Sequence, residues 1–237
     1  MASDTGNPAA PLLASILDTL GEEIVSGAMP AGHTFTLQDL CQRFGISRTV
    51  AREAMRALEQ LGLVSSSRRV GIRVLPDSQW AVFDNSVIAW RLSCEAQRPG
   101  QITSLNQLRT AVEPIAAGLA AAHASEAEAA RLRELAHRLV GLAEVRAGNA
   151  EEFLSADKEF HTLLLTSSGN EMFAALAAPI MSVLEGRTRY GIMPDEPELA
   201  AMRLHVDLAE AIARRDARAA EETSRALLRG VNEFMEV

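Results

Sequence analysis

"LQDLCQRFGISRTVAREAMRALEQLGLV", residues 37–64, decides the fold of the amino-terminal part. Leu37, Leu40, Cys41 and Phe44 recur at helical spacing and predict the inner face of a short helix. Thr36 precedes it with a hydroxyl able to cap, and Asp39 three residues on completes a pattern like a capping box. Gly45 permits a tight turn, Ser47 caps a second helix running to about Leu61, and Gly62 ends it. On that second helix Val50, Ala54, Leu58 and Leu61 are expected on one face. Arg48, Arg52 and Arg56, spaced by four, share the other. A greasy back and an arginine front suit a helix seated in a DNA major groove, where Arg binds guanine edges or grips phosphate. The alternative is a solvated face whose arginines pair with acids, and acids on this helix are few.

The flanks fit the same idea. Leu13, Ile16, Leu17, Leu20 and Ile24 predict a helix from Pro11 to Ser26, stopped by Gly27 and Pro30. Residues 1–10 read as a disordered tail without the charged and apolar parts of a signal peptide. "LVSSSRRVGIRVLP", residues 63–76, has β-branched ends around a polar centre with a glycine. It predicts a hairpin with Arg68 and Arg69 at its tip, placed to reach an adjacent groove or backbone. Helix–turn–helix–hairpin is the order of a winged helix-turn-helix, so residues 11–76 are assigned as a DNA-binding domain.

Charge supports the division. The 237-residue chain carries a net −8, which argues against non-specific binding to nucleic acid. Yet residues 1–76 hold seven Arg and seven acids, and residues 43–73 hold seven Arg against only Glu53 and Glu59. A basic island on an acidic chain is a phosphate-facing module joined to something else. Cys41 and Cys94 have neither metal spacing nor a disulfide framework, which favours a reducing, cytoplasmic setting. No apolar run approaches ~18 residues, so no membrane span is expected.

Beyond the junction at "LPDSQ" the patterns are helical to the end. Residues 77–95 read as a linker and connecting helix, and 96–237 as an all-helical antiparallel bundle; six or seven helices are expected over 79–237. Ser125 with Glu128, Asn149 with Glu152, and Asp195 with Glu198 look like helix starts. Gly169-Asn170 and Arg215-Asp216 look like junctions. Pro114 and Pro179 fall inside helical patterns and are each expected to bend a helix. The fold class is mainly α.

"SADKEFHTLLLTSSGN", residues 155–170, carries the main chemical signal. Asp157 and His161 lie one helical turn apart beside an oily run. The pair suits a metal site, a catalytic pair, a ligand clamp or a buried hydrogen bond. His123 and His137 are expected on outward or linking stretches. A metal-dependent enzyme built on Asp157 and His161 is the rival from another class, but no nucleophile, Gly-rich loop or second carboxylate accompanies the pair in sequence.

Residues 37–64 closely resemble the GntR family of bacterial transcription regulators, and the resemblance covers 11–76. It is most specific in "ISRTVAREAMRALEQLGLV". It implies DNA contacts at Arg48, Thr49, Arg52 and the wing near Arg69 and Gly71, to which the arginine face adds Arg56 and the hairpin tip Arg68. The usual Pro-Ser-Glu is here Phe35-Thr36-Leu37, a position that often carries a basic contact is Gln38, and the usual first wing glycine is Arg69. The remainder resembles the FCD effector domain of the FadR subfamily in "LRTAVEPIAAGLAA" (108–121), "ADKEFHTLLLTSSGN" (156–170) and "LHVDLAEAIARRDARAAEETSRALL" (204–228).

That second resemblance implies an Asp and three His holding a divalent metal, Zn²⁺ or similar, that helps bind a carboxylate effector. Asp157, His161 and His205 match three positions, and Leu227 stands at the fourth. A metal-free pocket, in which Asp157 simply accepts a proton from a histidine, is the alternative. Arg109 matches a pocket-facing position, with Arg187 and Arg189 as second candidates for the effector. "DNSVIAWRL", residues 84–92, is similar to the branch responding to sugar acids such as galactonate or gluconate. The expectation is a ligand-responsive repressor: a homodimer on a palindromic double-stranded operator, released by a small carboxylate or sugar acid.

Overall fold

A computed structural model describes residues 9–67, 71–147, 151–192 and 199–235. The chain divides into two compact units, residues 1–101 and 102–237.

In the first unit α1 (Ala9–Ser26) starts two residues ahead of the predicted Pro11; the rest of the predicted tail, residues 1–8, lies outside the described residues. α2 (Leu37–Phe44) and α3 (Arg48–Gln60) follow. Thr36 caps α2 in a full capping box with Asp39, the chain turns at Gly45, and the Ser47 hydroxyl accepts from the Val50 N–H. The inner face of α3 is rotated slightly from the predicted one. Ala51, Ala54, Met55 and Leu58 are buried, whereas Val50 and Leu61 are half-buried. This set, spaced i, i+3, i+4, i+7, is what packs against α1 and α2.

The predicted hairpin is present as β2 (Val64–Ser67) and β3 (Gly71–Val74), paired antiparallel from Val64↔Val74 to Ser67↔Gly71. A third strand was not foreseen. β1 (Thr34–Phe35) lies on the other side of β3, pairing Thr34↔Arg73 and Phe35↔Ile72. Two residues are too short to carry a period-2 signal. Gly71 has φ +83°, and a Cβ there would lie 2.9 Å from the Phe35 carbonyl oxygen, so glycine lets β1 close on the wing.

α4 (Asn85–Ser93) falls in the stretch read as a connecting segment, and it is part of this unit's core. Val87 and Trp90 join the cluster around Leu20, Leu58 and Leu63. The Trp90 Nε1–H donates to Asp18 at 3.0 Å, and a Cβ on Gly21 would come within 2.4 Å of the Trp90 ring. α1 and α4 therefore touch backbone to indole.

In the second unit α5 (Arg98–His123), α6 (Glu126–Glu144), α7 (Glu151–Thr166), α8 (Glu171–Ala175), α9 (Ala177–Arg189), α10 (Leu199–Ala213) and α11 (Ala217–Met235) form a helical bundle. With α4 this makes eight helices after residue 79 among the described residues, one more than expected, because α8 breaks from α9 at Leu176. Pro114 lies inside α5, as predicted. Pro179 does not bend a helix: it stands in the first turn of α9, where a missing N–H removes no helical bond. Ser125 and Glu128 make a full capping box, Asn170 caps α8, and Arg215 takes a left-handed turn. The predicted starts at Asn149 and Asp195 lie outside the described residues. The core runs from Ala117 and Ala120 through Leu132, Leu139, Phe153 and Phe160 to Leu208, Ile212 and Leu227.

Candidate functional sites: an arginine-lined cleft and a buried ionic cluster

The first unit carries an open cleft of ≈ 410 Å³ lined by Thr36, Gln38, Arg48, Arg52, Ser66 and Gly71, among others. The fold thus brings the start of α2, the start of α3 and the wing to one place. Arg48, Thr49, Arg52 and Arg56 are all exposed. None of these three arginines makes an ion pair among the described residues, so the reading as a solvated, salt-bridged face is not what the structure contains. Arg56 lies farther along α3 and is not among the cleft residues. Arg68 and Arg69 lie outside the described residues. Ser66 was missed by sequence reasoning; it faces the cleft because it pairs with Ile72, on the inner side of the wing.

The second unit buries an ionic cluster. α7 supplies Asp157 and His161, whose Oδ1 and Nε2 are 3.3 Å apart. α10 brings His205, with Nε2 3.5 Å from the same oxygen. α5 brings Arg109 and Glu113, paired at 2.6 Å. α9 brings Arg187. All six side chains are buried. Arg189, two residues on, is exposed with its guanidinium 5.9 Å from the Tyr190 ring, so it does not join the cluster. His123 and His137 are exposed, as predicted.

Glu113 is the functional residue that sequence reasoning passed over, although it sits four after Arg109 in the quoted motif. Its Oε2 lies 2.8 Å from His161 Nδ1, a close ion contact too bent for a linear hydrogen bond. Burial pushes its carboxyl pKa up, but the charges of Arg109 and His161 outweigh burial and lower it to about 2. It is thus the second carboxylate that the sequence did not show beside His161. Held ionised by Arg109, it is a counter-charge rather than a proton acceptor.

Burial likewise works against the ionised Asp157, and the adjacent His161 and His205 override it, holding its carboxyl far below the usual range. Burial lowers the His161 pKa, but Glu113 raises it above its ordinary value against the opposing charge of Arg109. Burial and the charge of Arg109 bring the Arg187 pKa down to about 10.

The ring nitrogens have distinct surroundings. His205 Nδ1 faces the Ala201 carbonyl at 3.3 Å, and a carbonyl can only accept, so Nδ1 carries the hydrogen. Nε2, a buried atom with no hydrogen-bond partner among the described residues, faces the Asp157 carboxylate with a second hydrogen in the charged ring or a lone pair in the neutral one. In the neutral ring two acceptors face one another, and a proton or a metal ion between them satisfies both. His161 Nε2 lies 3.3 Å from Asp157 and 3.1 Å from Arg109 Nη2. One ligand atom each from Asp157, His161 and His205 lie within 4.8 Å of one another, a spacing that suits a metal ion.

Residues 104–230 match the family model for the FCD domain, and residues 12–74 match that for bacterial regulatory proteins of the gntR family. The chain is 29% identical over 211 residues to the galactonate operon transcriptional repressor of Escherichia coli strain K12, covering 88% of this chain and 90% of that protein. It is 26% identical over 199 residues to the transcriptional repressor NanR of Cronobacter sakazakii, covering 82% and 72%. Among solved structures, Lar of Listeria monocytogenes superposes with TM-score 0.60 at 14% identity over 94% of this chain and 96% of that one. McbR/YncC of E. coli superposes with TM-score 0.51 at 16% identity over 100% and 98%. These two likenesses show the fold. Among the described residues no helix is long and apolar enough to cross a membrane.

Proposed function

The chain belongs to the gntR family of bacterial regulatory proteins and carries an FCD domain, and from that premise we propose that it is a repressor released from its operator by a small carboxylate, a sugar acid in class. As a family member it is a DNA-binding transcription regulator and not an enzyme. Arg48, Arg52 and Gly71 read and grip DNA at the cleft, with Thr49 next to Arg48 on α3 and with Arg56, Arg68 and Arg69 extending the contacts. Two copies bind a palindromic operator as a homodimer, which doubles the contacted site. The protein acts in the cytoplasm, where the DNA is.

The observation that carries the sensing role is the buried cluster of Arg109, Asp157, His161, Arg187 and His205. Partly matched charges in a helical core are costly unless a ligand completes them. Asp157, His161 and His205 fit a divalent metal such as Zn²⁺, because one ligand atom from each lies within 4.8 Å of the others. When bound, the ion supplies a Lewis-acid anchor for an acid oxygen. Leu227 is buried in the core, so three protein donors leave positions for the effector's own oxygens.

Asn106 Oδ1 and Ser224 Oγ are also buried without hydrogen-bond partners among the described residues, on faces of α5 and α11 shared with Arg109 and Leu227. A hydroxyl-rich acid supplies the donors that such oxygens call for. The name of the galactonate repressor relative points the same way. The effector must bind the DNA-releasing conformation more tightly than the DNA-bound one, since equal affinity shifts nothing.

The test is a gel-shift titration on an operator selected from a random-sequence pool. Galactonate, gluconate and related acids are expected to release the DNA and to raise the melting temperature of the free protein. Silence across the panel in both assays sinks the sugar-acid reading.

A further inference from the structure

Arg187 is the cation that the site's own acids leave over. It is only 4% exposed, and its Nε has no hydrogen-bond partner among the described residues. It lies near enough to Arg109 to be repelled and near enough to Asp157 to be attracted. Yet Glu113 is committed to Arg109, and Asp157 faces His161 and His205. A guanidinium does not shed its proton to escape burial, so a counter-charge has to arrive from outside.

Counting charges decides how many negative charges must come. With a divalent ion on Asp157, His161 and His205, both imidazoles act as neutral ligands. The ion's two charges, Arg109 and Arg187 then face only Glu113 and Asp157. Two positive charges remain among buried side chains. We propose that the effector is a dianion with an acid group at each end, one held by the ion and the other by the guanidinium of Arg187. Its class is that of the small dicarboxylates, the aldaric acids included. This rests on reading the cluster as a metal-assisted acid sensor. A monocarboxylate leaves one buried charge unmatched, whereas a second carboxylate accepts both N–H bonds of the guanidinium fork.

The test uses matched pairs that share a carbon skeleton: galactarate against galactonate, and succinate against butyrate. Binding to the full-length, Zn²⁺-loaded protein is measured by calorimetry. Galactarate is expected to bind at least tenfold more tightly than galactonate. Arg187→Gln removes the charge but not the hydrogen-bonding ability, and is expected to bring the two to within about twofold. The free variant should melt no lower than the parent, because an unmatched buried charge has gone; that separates a ligand contact from a folding role. Removing the metal with chelator, then dialysing the chelator away, is expected to abolish the preference. Equal or tighter binding of galactonate overturns the dianion and leaves the acid sensor standing. No binding by any of the four acids overturns both. A preference that survives Arg187→Gln overturns the assignment to that residue, and one that survives metal removal overturns the charge count.

Discussion

The Arg109 guanidinium stands against a ring nitrogen of His161. The Arg109 Nη2 lies 3.1 Å from His161 Nε2, which is the atom that a metal held by Asp157 and His205 also requires. Glu113, paired to Arg109 at 2.6 Å, keeps the guanidinium in place. An ion held there would compete with Arg109 for this nitrogen, and the displaced N–H groups would be available to the effector's acid. The double substitution Arg109→Gln with Glu113→Gln removes the rival cation without stranding its partner acid. It is expected to bind Zn²⁺ several-fold more tightly than the parent by competition with a chelating dye, and to lose acid-induced stabilisation. Unchanged or weaker metal binding means the guanidinium is no competitor.

Leu227 bears on the same ion. The resemblance to the FCD domain implies a histidine at this position, and here the leucine side chain is 3% exposed within the core. Leu227→His is expected to tighten Zn²⁺ binding by tenfold or more through a fourth donor. It should lower metal-free stability by about 1–3 kcal/mol, since a polar ring enters an apolar core. Both are read from thermal melts with and without metal. If added Zn²⁺ stabilises the variant no more than the parent, position 227 does not face the site.

On the DNA side, Arg48 and Arg52 line the cleft, whereas Arg56 does not. Arg48→Ala and Arg52→Ala are each expected to weaken operator binding by about 1–3 kcal/mol where they meet base edges. Where they meet phosphate, each lowers the salt dependence of binding by about one unit of slope. Arg56→Ala should do less. All three side chains are exposed and unpaired among the described residues, so melting temperatures should not move. Full operator affinity in the Arg48→Ala, Arg52→Ala double variant refutes the interface.

Acid should weaken the second unit in a defined range. The Glu113 carboxyl has a folded pKa of about 2, below its ordinary 4.5. A depressed folded value means that its contribution is complete above pH 4.5 and disappears as pH falls toward 2. The shift corresponds to about 3 kcal/mol. Asp157, also depressed, acts in the same direction. His161, with a raised pKa, acts oppositely and loses its contribution as pH rises above its ordinary value of 6.5. Denaturant unfolding from pH 7 to pH 3 should show the acid loss in the parent. Glu113→Gln should flatten it while lowering stability at pH 7 by about 3–5 kcal/mol, because Arg109 is left buried and unmatched. An equally steep acid limb in that variant would place its origin elsewhere.

The junction between α1 and α4 can be probed through Gly21. An added Cβ lies 2.4 Å from the Trp90 ring, so Gly21→Ala should force the helices apart and cost about 1–3 kcal/mol. Trp90→Leu in the same chain should recover part of that loss, while also breaking the bond to Asp18. A Gly21→Ala protein that melts with the parent shows that the two helices yield freely.

Local patterns carried what the residues alone disclosed. Helix ends were legible at Thr36, Ser47, Ser125 and Asn170, because a capping bond spans only two or three residues. The arginine face of α3 was legible because residues four apart share a face, and the one-turn pairing of Asp157 with His161 was legible for the same reason. Family resemblance extended this to His205 and Arg109, which no local spacing links to Asp157. Tertiary structure alone decided the rest. It committed Glu113 to Arg109 and His161, buried Arg187 while leaving Arg189 outside, laid β1 against the wing, and set α4 into the first unit's core. Those outcomes depend on which distant surfaces meet. The energy of a buried charge is set by the groups around it in space, and neighbours in sequence do not specify them.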